Sequence, residues 1–243
     1  MGWCARRIPV RFEQVQDPGQ NSSPEALREL DDWTLWERWK DNDLRAATIL
    51  VERYSGMLHR FFRNKVWDTE DATELISETL LGCVGALDRA EPTGPFRSFL
   101  FAIAMNTLRR YIRVTFKRKQ EVEDFDEVCV GDIDDTPSAF VSRNSETRLL
   151  VRALRRLPMK FQIVLELQFF EQMPGAEISE LLGMPAATVY TRQRRARAKL
   201  RTIVEDLASS PSVAQSTMMG IETWAHQVRA QLAPSADSAD EQS

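Results

Sequence analysis

Length, composition and charge exclude several classes of protein. The chain has 243 residues and a net charge of -4, and its 43% hydrophobic and 28% charged residues are the balance of a globular protein. Three cysteines without paired spacing and two histidines exclude a Cys/His zinc site and favour reduced thiols in the cytoplasm. The sequence has no apolar run of membrane-spanning length, no signal peptide and no glycine-rich phosphate loop. We therefore expect no membrane insertion and no cofactor, and nucleotide-dependent enzymes are disfavoured.

The chain opens with a segment rich in breakers and continues in helical patterns. Residues 1–24 contain several Pro, Gly and Ser residues and predict a flexible N-terminal extension. From residue 25 onward, apolar residues recur every three or four positions, which predicts an all-α fold. The first helical domain spans 25–118, with helices near 25–40, 43–66, 69–87 and 96–117.

The rest of the chain divides into a linker, a second domain and an extension. Residues 119–143 predict an acidic flexible linker, since Glu121 to Asp135 holds eight acids and no base. Residues 144–207 predict a second small domain, in which Gly183 separates two helices at helix-turn-helix spacing. Residues 208–243 form a C-terminal extension, in which an amphipathic helix is expected at about 218–232.

The basic residues are concentrated in two stretches that contain no acid. Phe96 to Lys119 holds seven and Ala186 to Arg201 holds six, which indicates two contacts with a polyanion. The second helix of a helix-turn-helix enters the major groove, where its side chains contact bases and phosphates. The candidates there are Thr188, Tyr190, Thr191, Arg192, Gln193, Arg195 and Lys199. The alternative is an ordinary helical hairpin with a solvated basic face, which the long acid-free stretch disfavours.

The first domain contains one basic and one acidic helix. The basic face has Asn106, Arg109, Arg110, Arg113 and Lys117, interleaved with aromatic residues that either stack on unpaired bases or lie in the core. On the acidic helix, Asp71, Glu74 and Glu78 share one face. We expect no metal there, because no second carboxylate helix completes a site, and a protein-binding or solvated surface is favoured.

Three motifs in order resemble one family. The runs DATELISETL at Asp71–Leu80, GPFRSFLFAIAMN at Gly94–Asn106 and AEISELLGMPAATVYTR at Ala176–Arg192 are similar to regions 2.2, 2.3 and 4 of the extracytoplasmic-function (ECF) sigma factors of bacterial RNA polymerase. The resemblance implies a promoter-recognition subunit that binds core polymerase and directs initiation. A free-standing helix-turn-helix regulator is the alternative, and it leaves the acidic helix unexplained.

The resemblance also assigns roles to residues. It implies that the acidic helix binds the β′ subunit of core polymerase through Asp71, Glu74, Leu75, Glu78 and Thr79, and that the β subunit is also a partner of the protein. It implies that the minus-ten element is bound and opened by Arg97, Asn106, Arg109, Arg110, Arg113 and Lys117. It implies that the minus-thirty-five element is bound by the helix-turn-helix candidates Thr188, Tyr190, Thr191, Arg192, Gln193, Arg195 and Lys199. An anti-sigma factor is a further expected partner.

Two departures from the family pattern lie on the acidic helix. Thr73 and Ser77 stand where the family usually has an acid and a glutamine, so this surface carries less negative charge. We hypothesise that phosphorylation of Thr73 restores the charge, and transcription assays of Thr73→Ala in its native host test this. The C-terminal extension goes beyond the usual family core and is expected to regulate the protein or to add packing.

Overall fold

The computed structural model describes residues 24–66, 68–87, 94–117, 124–129 and 145–220, and the predicted all-α class is confirmed there. Its helices are α1 (Pro24–Arg28), α2 (Asp32–Lys40), α3 (Leu44–Arg63), α4 (Thr69–Val84), α5 (Phe96–Lys117), α6 (Ser145–Arg155), α7 (Met159–Phe169), α8 (Gly175–Leu182), α9 (Ala186–Leu207) and α10 (Pro211–Met219). One 3-10 turn, Phe125–Glu127, lies between α5 and α6. The helix expected at about 218–232 falls mostly outside the described residues.

Helices α1–α5 form the first unit, and aspartate caps set several of its boundaries. Asp43 and Asp68 accept hydrogen bonds from the first backbone N–H groups of α3 and α4. Asp31 does the same for α2, accepting from the N–H groups of Trp33 and Thr34 at 3.0 Å. This cap divides the helix predicted over 25–40 into two.

An aromatic cluster fixes α5 against α2. The rings of Trp33 and Phe96 meet edge to face with centroids 5.2 Å apart, and Trp36 and Phe99 meet in the same way at 5.2 Å. The Trp33 indole N–H donates to the Gly94 carbonyl at 2.7 Å, which anchors the chain just before α5. These contacts set the direction in which the basic helix leaves the unit.

Helices α6–α10 form the second unit, which contains the predicted helix-turn-helix in α8 and α9. Gly183 ends α8 in the left-handed region, with φ of 62°, and turns the chain toward α9. Helix α10 follows as an addition, with Ser210 as its N-cap and Pro211 at its first position.

The two units share a hydrophobic core. Met159, Ile163, Ile178 and Val189 of the second unit are at most 3% exposed and belong to the same buried cluster as the core of α3, α4 and α5. A second cluster lies within the second unit, among α6, α7, α9 and α10. The helix-turn-helix is therefore packed directly on the first unit in this conformation.

Candidate functional site

The acidic helix α4 has one exposed and one buried face. Glu74 is exposed, together with Thr73 and Ser77, on the surface predicted to bind the polymerase. Leu75 and Thr79 of the same prediction are 3% and 0% exposed. The Thr79 hydroxyl donates to the Leu75 carbonyl at 2.7 Å. These two residues hold α4 in the core, so in this conformation they offer no side-chain surface to a partner.

The other two predicted acids of α4, Asp71 and Glu78, are paired with α5. The Tyr111 hydroxyl donates to the Asp71 carboxylate at 2.6 Å, and Arg110 forms an ion pair with Glu78. A predicted DNA contact and a predicted polymerase contact therefore neutralise each other at the junction of the two helices. Within the described residues, no group of three or more His, Cys, Asp and Glu side chains is arranged to hold a metal ion.

The basic face of α5 is open at its centre. Asn106, Arg109 and Arg113 are exposed, and Arg109 donates to the Asn106 side-chain oxygen at 3.3 Å. The side chain of Lys117 lies outside the described part of the chain. Two of the aromatic residues interleaved with this face point inward: Phe101 is fully buried, and Phe99 packs against Trp33 and Trp36. The core alternative thus describes these two rings.

Most candidates on α9 share an exposed surface. Thr188, Tyr190, Thr191, Arg195 and Lys199 are exposed, and Arg192 is partly buried. Gln193 differs, at 6% exposed, because it falls on the helical stripe of Val189, Ala196 and Leu200 that packs into the core. In this conformation Gln193 faces away from the exposed surface that carries most of the other candidates.

Arg97, a predicted minus-ten contact, is bound to the helix-turn-helix. Two nitrogens of its guanidinium donate hydrogen bonds to the two oxygens of the Glu177 carboxylate. The distance from Nε to Oε1 is 2.8 Å. The Ser98 hydroxyl donates to the same carboxylate at 2.5 Å. Burial raises the pKa of Glu177, but hydrogen bonds from Arg97 and Ser98 outweigh it and bring the pKa below its ordinary value. The pairing ties the start of α5 to α8.

A buried ion pair joins the units at a second point. Lys65, which follows α3, is fully buried and pairs with Glu166 of α7, which is 5% exposed. Burial lowers the pKa of Lys65, and the Glu166 carboxylate opposes that shift. Gln162 supports the pair by donating to Glu166 at 3.0 Å and to the Asn64 carbonyl at 3.1 Å.

Sequence reasoning missed three charged residues of this interface, namely Lys65, Glu166 and Glu177. Glu166 interrupts the apolar run IVLELQFF, and a single charge within such a run is the local signal for a buried, paired group. Lys65 and Glu177 have no comparable local signal, because their partners are 101 and 80 residues away along the chain.

Comparisons with known proteins agree with this architecture. Residues 50–116 match the family model described as Sigma-70 region 2, and residues 147–200 match the one described as Sigma-70, region 4. The chain is 25% identical over 191 residues to the ECF RNA polymerase sigma-E factor of Haemophilus influenzae, which covers 74% of this chain and 98% of that protein. The chain is an RNA polymerase sigma factor similar to the ECF group.

Other similar proteins lead to the same family. The sigma factor is 27% identical over 179 residues to RNA polymerase sigma factor NccH of Alcaligenes xylosoxydans xylosoxydans, covering 72% of this chain and 95% of that protein. The solved structure of CnrH in complex with the cytosolic domain of CnrY shares the fold. Its TM-score is 0.52 and its identity 23%, over 72% of this chain and 97% of that chain.

Family membership confirms the predicted function of the chain as an RNA polymerase sigma factor. The family implies RNA polymerase and promoter DNA as partners, and sigma factors are typically initiation factors without enzyme activity of their own. The free-standing regulator is not favoured, because the match at 50–116 accounts for the unit that it left unexplained. Among the described helices, none is long and apolar enough to cross a membrane.

Proposed function

We propose that this sigma factor contacts core polymerase and the two promoter elements through three separate surfaces. Exposed α4, centred on Glu74, binds the β′ subunit of core polymerase. The basic face of α5 binds and opens the minus-ten element, and the exposed start of α9 reads the minus-thirty-five element. The observation that carries this proposal is the sorting of charge by surface, with acids on exposed α4 and only bases on exposed α5 and on α9 up to Arg201.

The side chains on α9 suit both parts of promoter reading. Arginine forms two hydrogen bonds to a guanine edge, while threonine hydroxyls and lysine hold phosphates. Arg195, Thr188 and Thr191 are exposed within the first three turns of α9, which is the part of a recognition helix that reaches the bases. Lys199 lies one turn further on, where a phosphate contact is expected.

The two DNA surfaces separate when they bind a promoter. The elements lie about 25 base pairs apart, which is about 85 Å of duplex. Here the Arg97–Glu177 pair holds the start of α5 directly on α8. Helix α5 has 22 residues and is about 33 Å long, so its basic face lies much closer than about 85 Å to the helix-turn-helix. The chain between Lys117 and Ser145 reaches about 90 Å at full extension, so it permits the separation. The conformation described here is thus the closed form of the free chain.

Several finer assignments belong to the same proposal. The protein acts in the cytoplasm as a specificity subunit and has no catalytic site of its own. A protein that binds and holds it inactive stays a prediction, supported by the likeness to CnrH, which was solved with the cytosolic domain of CnrY. Phosphorylation of Thr73 also stays a prediction, and the exposure of that residue on α4 is compatible with it.

The proposal is tested by transcription from host genomic DNA. Core polymerase is reconstituted with the wild-type chain, and the 5′ ends of the transcripts are mapped. We expect a shared pair of upstream elements at fixed spacing. Arg195→Ala should relax or weaken the upstream element alone, and Arg113→Ala should act on the downstream element alone. Transcripts without a shared element, or variants that act on the opposite element, would contradict the assignment.

A further inference from the structure

The acidic linker contains a short segment, Asp124–Cys129, that is packed on the protein. Val128 is 1% exposed, and its carbonyl accepts a hydrogen bond from the Met159 N–H at 2.8 Å. Asp124 caps the 3-10 turn by accepting from the Asp126 N–H at 3.0 Å. The segment therefore has an apolar anchor and a defined backbone, although composition predicts a flexible tether for the whole linker.

The acids of this segment contact cations of the second unit. The Asp126 carboxylate lies 3.1 Å from a guanidinium nitrogen of Arg192, and Glu127 forms an ion pair with Lys160. The Phe125 ring lies beneath the guanidinium of Arg109, 5.7 Å from its centre. Arg192 and Arg109 belong to the two predicted DNA surfaces, so one short segment covers part of each.

The two cations paired with these acids line one pocket. Its volume is about 410 Å³, and its walls are Lys160, Phe161, Ala187, Thr188, Thr191, Arg192 and Arg195. Arginine, lysine and threonine side chains at one opening fit phosphate oxygens. Lys160 belongs to α7, outside the helix-turn-helix, and sequence reasoning did not assign it to DNA.

We propose that Asp124–Cys129 is an intramolecular competitor of promoter DNA and that Lys160 is a further phosphate contact. This rests on the proposed function of α9. A carboxylate and a phosphate use the same donors of Arg192 and Lys160, so both anions cannot be bound there at once. Binding of a duplex then requires the segment to leave, and the closed chain has a lower affinity for DNA than its basic surface alone would give.

The test compares two double variants of the full chain. Asp126→Asn with Glu127→Gln removes the competing charges. Glu205→Gln with Asp206→Asn is the control, because it removes the same charge from exposed positions about 20 Å further along α9. That distance exceeds the screening length of about 10 Å at 0.1 M salt. Binding is measured by fluorescence anisotropy with a duplex of about 20 base pairs and mixed sequence, because phosphate contacts dominate affinity.

We expect the first variant to bind roughly three- to tenfold more tightly than wild type, and the control to bind like wild type. Lys160→Ala in the first variant should weaken binding and reduce the slope of log affinity against log salt by about one. Equal affinities of the two double variants would overturn the competitor, and an unchanged slope would overturn Lys160 as a contact. If wild type binds DNA and Arg195→Ala leaves that binding unchanged, the proposed function of α9 fails instead.

A spin label on Cys129 follows the segment itself. Cys129 is exposed, whereas burial raises the pKa of the Cys83 thiol to about 12 and makes it unreactive at neutral pH. After Cys4→Ser, labelling is therefore confined to Cys129. We expect the label to become more mobile as the duplex saturates the protein. A spectrum that stays unchanged at saturation would overturn the competition.

Discussion

Glu166→Gln tests whether the buried ion pair holds the two units together. The substitution keeps the shape of the side chain but removes the charge that compensates Lys65, which has no exposed surface. The closed form must then bury an unpaired ammonium group or neutralise it. The open form avoids this cost, because both side chains reach water once the units separate.

The magnitude follows from the burial of both partners. Removing one member of a buried pair typically costs about 3–5 kcal/mol, because the remaining charge is left desolvated. Since each 1.4 kcal/mol is about tenfold, the ratio of closed to open chains should fall at least about a hundredfold. Deprotonation of Lys65 limits the loss, since burial already lowers the pKa of this residue. Lys65→Met together with Glu166→Gln removes both charges of this pair and should recover most of the closed form.

Small-angle scattering at neutral pH measures the effect. A compact chain of this length has a radius of gyration of about 18 Å, and separation of the units increases it by several ångström. Glu180→Gln, at an exposed position on the neighbouring helix α8, is the matched control. We expect Glu166→Gln to have a larger radius of gyration than wild type, and we expect both the control and the double variant to have the wild-type value. If Glu166→Gln stays as compact as the control, the pair does not hold the interface and the reasoning is refuted.

Two further predictions concern Glu177 and Gly183. Because the pKa of Glu177 in the closed form lies below its ordinary value of 4.5, its pairing with Arg97 stabilises that form above this pH and is lost as the pH falls through the lowered pKa. Small-angle scattering should show a larger radius of gyration below pH 4.5 in wild type, and a smaller increase in Glu177→Gln. Equal increases in the two proteins would count against this pair. Gly183→Ala should lower the free energy of unfolding by about 1–2 kcal/mol, since φ is 62° and no atom crowds the added methyl group. Gly183→Asn should cost less in thermal unfolding, and equal costs for the two variants would show that backbone conformation is not the cause.

Local signals in the sequence predict the helices well. Asp43, Asp68 and Pro95 precede α3, α4 and α5, and Gly183 divides the helix-turn-helix, so boundaries follow from capping and turn chemistry. Helix α10 was missed because Ser209–Ser212 resembles a loop. The pair Ser210–Pro211 carried the signal, since serine as N-cap followed by proline is a helix start.

The sequence predicts the surfaces of the two units but not their contact. The charge runs identify α4, α5 and α9 as functional helices, and the family confirms the function. The closed form depends on pairs such as Lys65–Glu166, whose members are far apart along the chain. Their pairing can be recognised only once the fold shows that both side chains are buried together. The packed segment Asp124–Cys129 was not predicted, because the acidic composition of the linker is typical of a flexible tether. Phe125 and Val128, three residues apart, are the apolar anchors that distinguish it from such a tether.

Binding to core RNA polymerase tests the central claim most directly. The wild-type chain is mixed with core polymerase that lacks any other sigma factor, and complexes are separated by size. Glu74→Lys reverses an exposed charge at the centre of α4, while Glu29→Lys makes the same reversal at an exposed position after α1. We predict that wild type and Glu29→Lys co-elute with core polymerase and that Glu74→Lys does not. Failure of the wild-type chain to bind would contradict the account, and co-elution of Glu74→Lys would contradict the acidic docking surface.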